Sequence, residues 1–458
     1  MLELTIIIVY FFAMIVVGIW SRRRAKGADD FFVAGRKGSA LFITGSLLAT
    51  IVGGSATVGM AGWGFSRGLT GAWWLLVGSI GLIVLGIFLA KKVRNYALYT
   101  LPELVAKQYD GRVALAASVL IVVAWIGIVA AQIVAAGTIM SVLGIGSSML
   151  WMILFTVVFV AYTALGGQHA IIRTDSLQTL ILFAGIFGGL ALVLSKVGGF
   201  AGLAANLPSE QFAFPVNSQF GWYELISMLL LVGLTYVVGP DMYSRLFCAR
   251  DAEVAKKAAL WTAALIVPVA FAVTLIGMGA AALFPEIAPQ QSLPTVIKEV
   301  LPPFLGGIVL AALLCAVMSS ADTCLLSAST ILTVDVIKPL KPSLSQERIL
   351  PLSRWGIVVL GLASLMLALI LKGVISALLF AYTVYTAGLI LPVIAGFYKD
   401  KLKVTSLGAL VAVVGGGSAA LISKIFDIKY LDLGALLISA LLLFAVSLID
   451  NRMKIGKS

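Results

Sequence analysis

The chain has 458 residues, 61% of them hydrophobic and 11% charged, with a formal net charge of +12 and three cysteines. This is the composition of an integral membrane protein from end to end, and it excludes a soluble domain carrying a single anchor. The longest polar stretches, near 196–221, 285–302 and 338–350, are too short to fold alone, so 1–458 is read as one membrane domain.

Apolar runs of about 20 residues give about thirteen predicted spans. In chain order they fall at 2–20, 41–65, 70–93, 113–142, 148–166, 169–195, 222–247, 255–284, 303–337, 352–371, 374–398, 404–423 and 430–449. The first run lacks a preceding basic region and an A-x-A cleavage site, so a retained helix is expected rather than a cleaved signal. The second carries Gly53-Gly54 at its middle, flanked by the hydroxyls of Thr50, Ser55 and Thr57. In the fourth, Gln132 lies among alanines and must find an internal partner, either a neighbouring helix or a solute.

The seventh span holds Thr235 and Tyr236 and then Gly239-Pro240-Asp241. Proline removes a backbone donor and clashes with the preceding turn, and glycine weakens a helix, so the second and seventh spans are expected to be interrupted. Each would open a block of five spans, and five being odd, the two blocks would have opposite topology. Breaks at corresponding places in two halves point to a transporter's binding site, where unwound carbonyls become cation ligands.

The ninth span presents Ser319 and Ser320 beside Asp322. Hydroxyls and a carboxyl at membrane depth need a partner, and hard cations choose oxygen ligands. The same residues equally suit close packing of two helices. The eleventh span adds Tyr382, Thr383 and Tyr385. Cys248, Cys315 and Cys324 have no metal-ligand spacing and are read as core thiols.

With the N-terminus outside, all of the 32 Lys and Arg fall on the cytoplasmic side except Arg67, Lys196, Lys298, Lys372, Lys424 and Lys429. That asymmetry sets the orientation, puts the C-terminus inside and accounts for the positive charge without a nucleic-acid partner. On this count no Lys or Arg lies at the centre of a span. An enzyme is not expected: His169 is the one histidine, and there is no G-x-x-x-x-G-K-[ST] loop. A passive channel or a solute sensor stays open as an alternative, although no soluble signalling domain is visible.

Five runs in order carry a resemblance. They are Asp30-Phe31-Phe32-Val33-Ala34-Gly35-Arg36; Ser46 to Val52 continuing into Gly59-Met60-Ala61-Gly62; Tyr162 to Gly167 with Arg173-Thr174-Asp175-Ser176-Leu177-Gln178; Arg245 with Cys248-Ala249-Arg250; and the Ser319-Ser320 helix ending at Asp335. Over about 1–400 the chain resembles the sodium:solute symporters, which share the inverted-repeat fold of the bacterial leucine transporter. The resemblance implies an all-α integral membrane fold with a 5+5 inverted-repeat core and discontinuous first and sixth core helices. Residues 1–40 would then be a peripheral helix and cytoplasmic loop, 41–195 and 222–398 the two repeats, and 399–458 two peripheral helices.

It implies a sodium ion as the coupling cofactor, held by the carbonyls of Ala49, Val52 and Ala316 and the hydroxyls of Ser319 and Ser320. Some members hold a second ion through the aspartate matching Asp175 with the hydroxyl matching Ser320. Asp322 has small uncharged counterparts in sugar-carrying members, and cation coupling, proton coupling or a helix-packing hydrogen bond are its open roles. The expected solute wall is Thr50, Ser55, Thr57, Gln132, Thr235, Tyr236, Tyr382 and Tyr385. Sugar carriers place polar amides where this chain has Ile51 and Ala56, so a small amino acid such as proline, or a monocarboxylate or pantothenate, is expected over a sugar. The expected partners are that solute and the lipid bilayer of the cell membrane, with no obligatory protein partner and a proton as the alternative coupling ion.

Overall fold

Helices apolar on every face bury themselves in lipid and in one another rather than on a single core face, and this chain is built of little else. The computed structural model describes residues 2–22, 28–141, 144, 146–370, 374–426, 428 and 431–455. Arg23, Arg24, Lys26, Lys372, Lys429 and Lys457, all used in the charge count, lie outside them. The principal helices are α1 (Leu2–Arg22), α2 (Ala40–Ile51), α3 (Met60–Arg67), α4 (Trp73–Val84), α5 (Gly111–Ser141), α6 (Ser148–Val197) and α7 (Trp222–Met228). They continue as α8 (Pro240–Cys248), α9 (Ala252–Leu283), α10 (Pro303–Ile331), α11 (Gln346–Ile370), α12 (Val374–Tyr385), α13 (Ser406–Ile425) and α14 (Leu431–Ile455). Among the described residues the bridges Gly38–Ala249 and Asn217–Phe220 are the β pairing present outside helices.

Ten described helices are long and apolar enough to cross a membrane, with Ala40–Ile51 and Ala381–Gly396 shorter. The expected spans 148–166 and 169–195 are both helical within α6, which is two helices joined across a kink at Gly167, where φ is 55° and ψ is −156°. That left-handed φ suits glycine alone, and a Cβ there would run into the Phe31 ring. The bend therefore seats the Asp30–Arg36 loop against α6.

Both predicted interruptions are present. The α2 helix stops at Ile51, and helix resumes at Ser55 and runs on through α3. The α7 run continues through Leu234–Val237, stops at Val238 and Gly239, and restarts as α8 with Pro240 at its first position. A proline there costs no intrahelical bond, because the first N–H groups of a helix are unpaired anyway. The α10 helix packs between α5 and α6, touching α1, α2 and α11 as well. It is buried without a gap from Val309 to Ile331.

At one end of the bundle the loop before α2 is fastened to the end of α8. Gly38 N–H donates to the Cys248 carbonyl at 2.9 Å and Arg250 N–H to the Gly38 carbonyl at 3.0 Å. Arg36 Nη1 donates to the Leu98 carbonyl at 3.1 Å, and Arg94 Nε donates to the Ala249 carbonyl at 2.5 Å. Beside this junction Asp251 caps α9, accepting the Val254 N–H at 2.8 Å, which holds its carboxyl below the usual range.

Candidate ion and solute site

The break in α2 frees backbone oxygens. Val52 N–H makes the last ladder bond, to the Leu48 carbonyl at 2.8 Å, and the ladder resumes where Thr57 N–H reaches the Gly53 carbonyl at 3.1 Å. The carbonyls of Ala49, Thr50, Ile51 and Val52 lie between. Two contacts hold the gap. Gln132 Oε1 on α5 accepts the Gly54 N–H at 2.9 Å, and Ser320 Oγ on α10 donates to the Thr50 carbonyl at 2.6 Å and to the Ala316 carbonyl at 3.1 Å. This approach needs glycine, because a Cβ on Gly53 would collide with the Ser320 side chain. Thr50, Ala316 and Ser320 are thereby brought to one place at the open end of α2, with Ala49 and Val52 on either side of Thr50 in the chain.

One turn away lies a buried ionic cluster. The Asp175 carboxylate on α6 accepts Ser46 Oγ and Ser319 Oγ, each at 2.5 Å, and its charged partner is Arg245 Nη2 at 3.5 Å. Arg245 Nε donates to Ser46 Oγ at 2.7 Å, and Nη2 donates to Thr50 Oγ1 at 3.2 Å and to Thr323 Oγ1. Thr323 in turn reaches Asp322 Oδ1 at 3.4 Å. The side chains of Asp175 and Arg245 are both fully buried. Among the described residues no group of three or more His, Cys, Asp or Glu could hold a metal ion.

This geometry gives Arg245 a role that the charge reading did not foresee. Hydropathy placed it with the loop cations, and no span was expected to carry a central Arg. Its guanidinium reaches inward from the last turn of α8, near the end of the Trp222–Cys248 run, and ties that helix to α2, α6 and α10. Omitting it leaves the charge asymmetry with the same sign. Asp175 lies two turns past the Gly167 kink, fully buried, and of the two α10 serines it is Ser319 that joins Ser46 on it while Ser320 turns to α2.

Above the cluster is a small enclosed cavity of about 30 Å³ lined by Thr50, Gly53, Ser55, Trp125, Gln132, Thr235, Tyr236, Asp241, Ser320, Cys324 and Tyr382, with Ile51, Ile128 and Met242. Six of the expected solute residues meet here: Thr50, Ser55, Gln132, Thr235, Tyr236 and Tyr382. Two do not. Thr57 is buried and donates to the Gly53 carbonyl at 2.9 Å, and the Tyr385 hydroxyl donates to the Val238 carbonyl at the break between α7 and α8. Trp125, Asp241 and Cys324 went unnoticed as wall residues. Asp241 carried a signal, an acid directly after Gly-Pro in a span; Trp125 and Cys324 carried none beyond their place in apolar helices.

The comparisons fit this picture. The Sodium:solute symporter family matches residues 31–416. A sodium/glucose cotransporter of Vibrio parahaemolyticus is 26% identical, over 93% of this chain and 86% of its own. Sodium/glucose cotransporter 4 of Danio rerio is 25% identical, over 93% of this chain and 72% of its own. The solved structure of a Na+-coupled sialic acid symporter, substrate-bound and outward-open, superposes with a TM-score of 0.84 at 19% identity, covering 98% of both chains. By its family match this chain is a member of the sodium:solute symporters, a transporter rather than an enzyme, with sodium as its coupling ion.

Proposed function

We propose that the protein carries a small organic solute into the cell with sodium by alternating access, the two five-helix repeats (41–195 and 222–398) rocking about a shared site. The observation that carries this reading is the seat of Ser320 on the Thr50 carbonyl at the open end of α2, with the neighbouring Ser319 on Asp175. The first sodium is assigned to the carbonyls of Ala49, Val52 and Ala316 and the hydroxyls of Ser319 and Ser320, an all-oxygen set suited to a hard cation. Asp175 and Asp322 are assigned to a second ion or to coupling, since they join one hydrogen-bonded chain through Arg245 and Thr323. The protein is placed in the cell membrane with its N-terminus outside and its C-terminus in the cytoplasm.

The solute is assigned to the cavity beside this cluster, with Thr50, Ser55, Gln132, Thr235, Tyr236 and Tyr382 as its wall. Few convergent polar groups favour a small amino acid or carboxylate over a sugar. A sodium ion moving down a potential of about 100 mV and a tenfold gradient releases about 3.7 kcal/mol, enough for roughly two to three decades of accumulation. The test is uptake into proteoliposomes of labelled amino acids, pantothenate, monocarboxylates and sugars, with and without an imposed sodium gradient. Sodium-driven accumulation supports symport, and Ser319→Ala then weakens its sodium dependence. Accumulation on a proton gradient alone would move coupling to Asp322 and Asp175, and simple equilibration would overturn symport.

A further inference from the structure

Asp241 stands in the cavity wall, and among the described residues it makes no direct ion pair, Arg245 acting on it only from a distance. It is the second residue of α8, directly after the Gly239-Pro240 break, and lines the same small cavity as Gln132 and Thr235. Arg245, one turn on, is already committed to Ser46, Thr50, Thr323 and Asp175. Among the described residues no side chain donates a hydrogen bond to the Asp241 carboxylate; the backbone N–H groups of its own turn are what it meets. An acid in a first helical turn suits the helix dipole, but that role needs no cavity and is served more cheaply at a water-facing end.

The rest of the wall is what a cation would choose. Tyr236, Tyr382 and Trp125 bring three aromatic rings to the same space. Two of them are braced from behind: Tyr382 stacks on Trp74 with centroids 6.5 Å apart, and Trp125 meets Tyr385 edge to face at 5.0 Å. Ring faces carry negative potential and attract a cation, most strongly where water is excluded. A carboxylate among braced aromatic rings is a poor host for a carboxylate-only solute and a fitting one for an ammonium group. The Trp125 indole N–H is buried beside the Cys324 thiol and makes no geometric hydrogen bond among the described residues, so it offers a donor to an acceptor on the same solute.

We propose that the transported solute bears a protonated amine, held by the Asp241 carboxylate against the ring faces of Tyr236, Tyr382 and Trp125. The inference deepens the symport reading, on which it rests for assigning the cavity to the solute, and it removes sugars, pantothenate and simple monocarboxylates from the candidates.

The test is equilibrium binding to the full-length purified protein in saturating sodium chloride. Two labelled panels are compared: amine-bearing solutes (the common amino acids and small amines) and amine-free ones (glucose, myo-inositol, lactate, pantothenate). An amine-bearing solute should bind, and Asp241→Asn should weaken it about ten- to hundredfold, as loss of a charge-assisted hydrogen bond does. Asp241→Glu should recover part of that loss. Radioactive sodium binding and elution as a monodisperse peak, unchanged in both variants, show that each is folded. Binding of an amine-free solute alone, binding from neither panel, or undiminished amine binding by Asp241→Asn, overturns the proposal. Amine binding without sodium-driven accumulation would sink symport and leave this assignment standing; sodium-driven accumulation of an amine-free solute would do the reverse.

Discussion

Arg245 shows how much one buried side chain can decide. Its guanidinium is the counter-charge of a fully buried carboxylate, and removing one partner of such a pair typically costs about 3–5 kcal/mol. Arg245→Met should therefore lower the thermal midpoint markedly, read by fluorescence-detected size exclusion after heating. Arg245→Met with Asp175→Asn should recover much of that loss, because no charge is then left stranded. Gln132→Ala is expected to cost less, about 1–3 kcal/mol, for leaving the buried Gly54 N–H unpaired. At this scale the sequence was readable where the chemistry is local. Ser319, Ser320 and the Gly53-Gly54 pair stand out in their own spans. Arg245 does not, because its partners lie 199, 70 and 78 positions away and nothing near it in the chain says which way its side chain turns.

The two interrupted helices were legible as elements because glycine and proline mark a break wherever they fall. Their mode of closure was not legible. The α2 gap is held by Ser320 and Gln132, and the α7–α8 gap by the Tyr385 hydroxyl on Val238. Gly53→Ala tests the first gap: the added methyl meets Ser320, so sodium-dependent transport should be lost while the protein still folds, checked by uptake beside a monodisperse elution profile. The two spans expected within α6 are present, and what hydropathy did not show is the tightness of their junction: Gly167 alone interrupts the helix.

For the molecule as a whole, α10 is the part that both interrupted helices touch, α2 through Ser320 and α8 through Thr323 and Arg245. At the end where α8 finishes, Arg36 and Arg94 fasten its last carbonyls to the loop before α2 and to the end of the α4 run. Arg94→Ala should loosen that closure. Cys324 lines the cavity, so in a Cys248→Ser, Cys315→Ser background its rate of labelling by a membrane-impermeant maleimide from that side should rise several-fold in Arg94→Ala. An unchanged rate would mean that the two arginines do not bar the path. The overall architecture was legible from composition and the order of five motifs; which side chains bar the site at either end depends on contacts between distant segments, which one sequence does not record.

With Ser319 as a sodium ligand, as proposed above, its 2.5 Å bond to Asp175 has a consequence for which alkali metal is admitted. A hydroxyl whose proton is drawn to a carboxylate has a more electron-rich oxygen, since hydrogen bonds in a chain polarise one another. Ligands of high field strength favour the smaller ion, whose gain in coordination exceeds its larger cost of dehydration. Lithium should then substitute for sodium in driving uptake and potassium should not. Asp175→Asn, by weakening that polarisation, should narrow the sodium-over-potassium preference in ion-competition binding, a change in selectivity that mere loss of fold would not produce.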